Sequence, residues 1–187
     1  MKLFLSPHND DEVLFGALTI MRERPLVVVV YDGYVQGNRG VNILPLVRRK
    51  ETRVAMSVLG VDDAKFLGLR DDKQYTPEDI IFRLRGAVDI EQHFEAVYAP
   101  IYDLDGHEQH NLVALASGLL DSAKYEHYST YTRNGGRQRT PNEVLPLDGS
   151  MIARKHRALA CYTSQMDMDE RLGCWPHFMN DMREYMQ

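Results

Sequence analysis

Two short stretches of this chain place imidazoles beside carboxylates: Pro7-His8-Asn9-Asp10-Asp11-Glu12 and Asp103-Leu104-Asp105-Gly106-His107-Glu108-Gln109-His110. Each holds ligand-type residues three apart, His8 with Asp11 and His107 with His110, a spacing that lets side chains on one helical turn converge. Two such half-sites could build one metal centre. Three ligands of the His-Asp-His type leave a position open for water, which a catalytic Zn²⁺ requires and a structural one does not. Taken alone, acids at a helix start complement the helix dipole, and a His-x-x-His pair is a solvated helix end. The two together are a less accidental pattern, because burying the adjacent carboxylates Asp10 and Asp11 without a cation is costly.

The elements that must position these stretches follow from hydrophobic periodicity. Lys2 to Ser6 is an apolar run stopped at Pro7, and Asp11 to Arg24 repeats apolar residues at helical spacing before Pro25. Leu26 to Tyr31 is a β-branched run of the kind buried on both faces of a parallel sheet. The alternation continues with a helix over Val47–Leu59, a strand over Ala64–Leu69, a helix opened by Thr76-Pro77 and running to about His93, a strand over Ala96–Pro100 and a helix from Glu108 to about Lys124. Tyr125 to Thr132 reads as a strand, 132–142 as a polar loop with Arg133, Arg137 and Arg139, and Gly149 to Tyr162 as a helix. The expected fold is α/β: a Rossmann-like open, mainly parallel sheet with helices on both faces, forming a single domain over 1–187. Both polar stretches follow strands, and ligands bind at the carboxyl ends of strands in such sheets.

With 187 residues the chain is about one domain at the usual ~100–200 residues each. Its 22 basic and 27 acidic residues give a net charge of −5, so no basic field exists to hold a nucleic-acid backbone. Cys161 and Cys174 are too few for a disulfide framework, no segment approaches a membrane span, and Met1 to Ser6 is too short for a signal peptide; a cytoplasmic protein is expected. Homo-oligomerisation is left open.

A resemblance becomes specific along these motifs. Leu5 to Glu12 resembles the His-Pro-Asp-Asp-Glu signature of the LmbE-like/PIG-L family of zinc-dependent de-N-acetylases, and Gly106 to His110 resembles its second, His-x-x-His signature. Arg48-Arg49-Lys50-Glu51 with Ala55 and Leu59-Gly60-Val61, Phe66 to Asp71, and the late Lys155, Ala158-Leu159, Tyr162 and Ser164-Gln165 are similar to three further blocks in the same order. Asn9 replaces the usual Pro, Glu108-Gln109 the common Pro-Asp, and Tyr162 a frequent His. Asn9 is expected to hold its turn by bonding its own backbone.

By motif position the resemblance implies that His8, Asp11 and His110 bind Zn²⁺ or another divalent metal, that Asp10 is general base and acid, that His107 stabilises the oxyanion, and that Arg48 and Asp71 contact substrate. Glu12 is read as a helix cap or a support for its neighbours, and Lys155 as a solvated lysine on an amphipathic helix. The implied reaction is removal of an N-acetyl group from an N-acetylglucosamine-like sugar or glycoconjugate. The alternatives are an N-acyl hydrolase for a non-sugar amine such as an antibiotic or thiol precursor, an Fe²⁺ oxygenase, which this strand–helix alternation disfavours, and a metal- or glycan-binding relative without turnover. The short chain leads us to expect an open cleft and a small or partner-completed substrate pocket. The three loop arginines form a solvated loop or meet an anionic group on the substrate.

Overall fold

Strong β-branched runs and Pro breaks divide the chain as the periodicity suggests. The computed structural model describes residues 1–33, 35–36, 42–43, 45–61, 64–90, 93–132, 142–144, 146–165 and 183–187. In order these form β1 (Lys2–Ser6), α1 (Asp11–Glu23), β2 (Leu26–Tyr31), β3 (Val35–Gln36), β4 (Asn42–Ile43), α2 (Pro45–Leu59), β5 (Ala64–Leu69), α3 (Pro77–Ala87), β6 (Ala96–Pro100), α4 (Glu108–Ser117), β7 (Tyr125–Tyr128), β8 (Asn142–Val144), α5 (Gly149–Leu159) and β9 (Glu184–Met186). The main sheet has the order β5-β2-β1-β6-β7-β9-β8. Its first five strands are parallel, while β9 runs antiparallel to both β7 and β8. The small β3–β4 ribbon pairs Val35 with Ile43.

Alternate residues of the central strands face two cores. Phe4, Val27, Ala96 and Tyr98 join side chains of α1, α2 and α5 on one face, and Leu3, Leu5, Val28, Val30 and Val97 join those of α3 and α4 on the other. This double burial explains why β1 and β2 read as unbroken apolar runs. From β1 the chain winds outward through β2 to β5, then returns to β6 on the other side of β1. That reversal opens a crevice at the carboxyl ends of β1 and β6, the strands that precede the two polar stretches.

Several boundaries differ from the sequence reading. Helix α3 ends at Ala87 rather than near His93, because Val88 turns extended (φ −140°) after its N–H closes the last turn on the Leu84 carbonyl at 2.8 Å. Helix α4 ends at Ser117 rather than near Lys124; beyond it, Leu119 N–H bonds Ala116 O and Leu120 N–H bonds Ser117 O, short turns that leave Leu119 54% exposed and Leu120 buried. Strand β7 stops at Tyr128, and α5 at Leu159. The short strands β3, β4, β8 and β9 have no counterpart in the sequence periodicity. Arg133, Arg137, Arg139, Cys174 and Trp175 lie outside the described residues.

Candidate metal centre and active site

Residues 7–12 form the turn from β1 into α1. Its entry is pinned by Tyr31 N–H donating to Pro7 O at 2.8 Å. Asn9, where the signature has Pro, is buried and does not bond its own backbone as expected: its amide donates to the Tyr31 and Asp32 carbonyls at 3.3 and 3.2 Å, and its Oδ1 accepts from Thr52 Oγ1 at 3.0 Å. Asp10 has φ 119°, a backbone conformation that favours glycine. Glu12 holds that turn in place. Its Oε2 accepts from the Asp10 N–H and Ser6 Oγ, both at 3.0 Å, and its Oε1 accepts from Tyr162.

Three atoms converge just beyond this turn. His8 Nδ1 and His110 Nε2 each lie 3.1 Å from Asp11 Oδ2, and 3.2 Å from one another. Tetrahedral Zn²⁺ with bonds of about 2.0–2.1 Å has donor–donor edges of about 3.3–3.4 Å, so two imidazole nitrogens and a carboxylate oxygen at these spacings fit such an ion. His107 is the fourth group. One of its ring nitrogens lies within 4.8 Å of ligand atoms of His8 and His110, and its ring centroid is 5.1 Å from that of His110. His110 is fully buried, with Nδ1 3.0 Å from Thr130 Oγ1, and His8 Nε2 lies 2.6 Å from Gln109 Oε1.

The ionisable groups are unequal. Burial works against the Asp11 anion, yet the charge and hydrogen bonds of His110 and His8 outweigh it and hold the carboxyl well below the usual range. Burial lowers the His110 imidazole, with Asp11 acting in the opposite sense. Asp10 is pushed up to about 8, first by burial and then by the neighbouring acids, with Arg48 pulling against them.

Two expected positions come out differently. Arg48 is only 4% exposed, and its guanidinium donates to Asp10 Oδ2 at 2.8 Å, to Asn9 O and to Gly33 O, so it underpins Asp10 rather than lining the cleft. Lys155 is not solvated but fully buried, with Nζ 2.8 Å from Glu184 Oε1 and 3.0 Å from Leu14 O. Asp71 does line the cleft. That cleft, about 720 Å³, is walled by Tyr31, Asp71, Tyr75, His107, Glu108 and Gln109 among others. It lies within the roughly 300–1,000 Å³ usual for small-molecule sites, larger than the small pocket expected from chain length. Thr130, Gln109 and Thr52 were missed by the sequence reading, and for Thr130 no local signal exists, since it reaches His110 only through sheet closure.

The sequence profile of the PIG-L family, described as GlcNAc-PI de-N-acetylase, matches residues 3–118, more than half the chain and inclusive of both polar stretches. The chain belongs to the PIG-L family. Among solved structures it is similar to N,N'-diacetylchitobiose deacetylase from Pyrococcus horikoshii, with a TM-score of 0.67 and 21% identity over 95% of this chain and 74% of that one. It is equally similar in fold to GalB, the 4-carboxy-2-hydroxymuconate hydratase from Pseudomonas putida KT2440, with a TM-score of 0.69 and 18% identity over 96% and 84%. The zinc inhibited form of teicoplanin deacetylase Orf2 aligns with a TM-score of 0.59 and 18% identity over 89% and 85%. At these identities the likeness establishes the fold alone. No protein of curated function matches the chain by sequence. The histidine–aspartate cluster sits at the reversal point of the sheet, and none of the described helices is long and apolar enough to cross a membrane.

Proposed function

We propose that this chain is a metal-dependent N-deacetylase acting on an N-acetylglucosamine-like sugar or glycoconjugate. The observation that carries the reading is the triangle of His8 Nδ1, Asp11 Oδ2 and His110 Nε2, with sides of 3.1 to 3.2 Å, beside the Asp10–Arg48 pair. His8, Asp11 and His110 would hold a divalent cation, Zn²⁺ by donor chemistry. Such an ion polarises an amide carbonyl and lowers the pKa of a bound water to about 7.

The chain's own groups supply the rest. Asp10 Oδ takes a proton from the attacking water and returns it to the departing amine nitrogen; a carboxyl raised toward neutrality is suited to both transfers. Arg48 fixes that carboxylate in place. His107, on the cleft wall, donates to the carbonyl oxygen as negative charge develops there. Tyr31 and Tyr75, with ring centroids 6.2 Å apart, offer faces for a sugar ring, and Asp71 accepts from its hydroxyls.

The test is acetate release from N-acetylglucosamine, diacetylchitobiose and non-sugar acetamides, with Zn²⁺, Co²⁺ or Mn²⁺ added to metal-stripped protein. Turnover of a sugar substrate that disappears in His110→Ala supports the reading. Retained turnover in His110→Ala or Asp10→Asn overturns it. The hydratase with this fold motivates a second assay, hydration of a carboxylated muconate, and turnover there without acetate release would replace hydrolysis by water addition.

A further inference from the structure

Gln109 occupies the place between the two histidines where the family pattern commonly has Asp, and both ends of its amide are engaged. One end lies 3.1 Å from the Asp71 carbonyl oxygen. A carbonyl can only accept, so that end is the Nε2 donor, and the other end is the oxygen. This Oε1 lies 2.6 Å from His8 Nε2. An amide oxygen also can only accept, so His8 Nε2 carries a hydrogen. A metal binds the neutral imidazole, which has one ring hydrogen; with that hydrogen on Nε2, Nδ1 gives up the proton it shares with Asp11 Oδ2 at 3.1 Å and offers its lone pair 3.2 Å from His110 Nε2. The opposite imidazole has a looser arrangement. His110 Nδ1 faces the Thr130 hydroxyl at 3.0 Å, and a hydroxyl can donate or accept.

We infer that Gln109 is a positioning residue: it locks His8 in the tautomer that presents Nδ1 to the metal, and it ties that ligand to the segment after β5 that carries the cleft residue Asp71. Metal-ligating histidines regularly give their second N–H to an outer partner. The nearest carboxylate oxygen to this nitrogen, Asp71 Oδ1, stands off at 3.7 Å, beyond hydrogen-bond distance, so the amide makes the direct contact and still has a donor left for the Asp71 carbonyl. The half-buried Gln109 is therefore a joint between two half-sites that approach from β1 and β6 and a cleft wall that approaches from β5. The inference rests on the metal-centre reading above.

The two arms of the amide can be separated by substitution. Gln109→Ala removes both. Gln109→Glu keeps an acceptor for His8 Nε2 and loses the donor to Asp71 O. Zn²⁺ affinity is measured by competition with a chromophoric chelator, and the zinc-loaded proteins are examined by ¹⁵N-edited NMR for a protected imidazole Nε2–H of His8. Gln109→Ala is expected to bind Zn²⁺ about 10–100-fold more weakly, the usual cost of losing such a partner, and to lose the protected N–H resonance. Gln109→Glu is expected to bind within a few-fold of the parent and keep the resonance, while KM for the acetylated substrate rises with kcat little changed. Gln109→Ala that binds Zn²⁺ within twofold of the parent and keeps the resonance overturns the assignment. So does a tenfold loss of affinity in Gln109→Glu, which also serves if the alanine variant does not fold. A parent protein that binds no more Zn²⁺ than His110→Ala overturns the metal-centre reading itself.

Discussion

Arg48 shows how much a single buried contact can redirect a functional assignment. From sequence it is an arginine near a helix start, which reads as a substrate contact or as one partner of a salt bridge at that start. In the fold it is buried against the Asp10 carboxylate, with backbone carbonyls from Asn9 and Gly33 around it. Gly33 has φ +66°, and a Cβ there would collide with the buried Arg48 guanidinium, so the glycine is favoured both by conformation and by space. Arg48→Met removes the cation that opposes the upward shift of Asp10 and the donor to the Asn9 and Gly33 carbonyls, so urea unfolding should register a loss of roughly 1–3 kcal/mol that grows above about pH 8, where Asp10 would otherwise ionise beside it. Asp10→Asn keeps the shape but cannot exchange the proton; acetate release should fall by about 10²–10⁴-fold, with substrate binding retained in equilibrium titration. The motif residues were legible because their types and spacing are local. Arg48's burial and Thr130's reach to His110 were not, since each depends on contacts between distant parts of the chain.

Helix α1 carries the Asp10–Glu12 turn, and a late ion pair grips it in the middle. Lys155 Nζ donates to Leu14 O, while Glu184 Oε1 accepts from Leu18 N–H at 2.8 Å and from Lys155 at 2.8 Å. Leu14 O and Leu18 N–H are the acceptor and donor of one i, i+4 step of α1, so the pair grips both ends of the same helical turn. The pair thus ties α5 and β9 into the backbone of α1. Lys155→Met strands Glu184 in the core and is expected to cost about 3–5 kcal/mol by denaturant unfolding, whereas the double variant Lys155→Met/Glu184→Leu should recover much of that loss. At the other face, Thr76 and Asp79 cap α3 reciprocally, with Asp79 Oδ2 accepting from Thr76 N–H at 2.8 Å and Thr76 Oγ1 accepting from Asp79 N–H at 3.3 Å. Thr76→Ala should cost about 1 kcal/mol and leave turnover unchanged. Long elements with many periodic residues were readable from sequence. The ends of α3 and α4 were not, because apolar side chains in the turns that follow a helix mimic one more helical repeat. Strands β8 and β9 have three residues each, too few for a period to register.

Across the whole molecule, the sheet reversal brings β1 and β6 side by side, with two buried cores beneath the crevice. A cation bound at 100 times its Kd would add about 2.7 kcal/mol to the folded state. For a chain of this length, 1 kcal/mol shifts Tm by about 2–4 °C. Chelation of metal-loaded protein should therefore lower Tm by roughly 5–11 °C, and His110→Ala should show almost no response to chelator. Differential scanning calorimetry with and without chelator checks both. The fold class was legible because every buried parallel strand announces itself by composition. The size of the cleft was not, since its walls come from the end of β2, the loop after β5 and the start of α4, whose approach only the sheet order determines.

The pairing of His8 with His110 spans 102 positions of sequence. Its timing during synthesis follows directly. At roughly 5–20 residues per second, the ribosome makes the second half-site about 5–20 s after the first. Through that interval β1 lacks its β6 neighbour, and His8 with Asp11 can offer an ion only two protein ligands. On the metal-centre reading proposed above, capture of an ion by the full ligand set would wait until β6 has docked, and uptake would be a late signal that the centre of the sheet has closed.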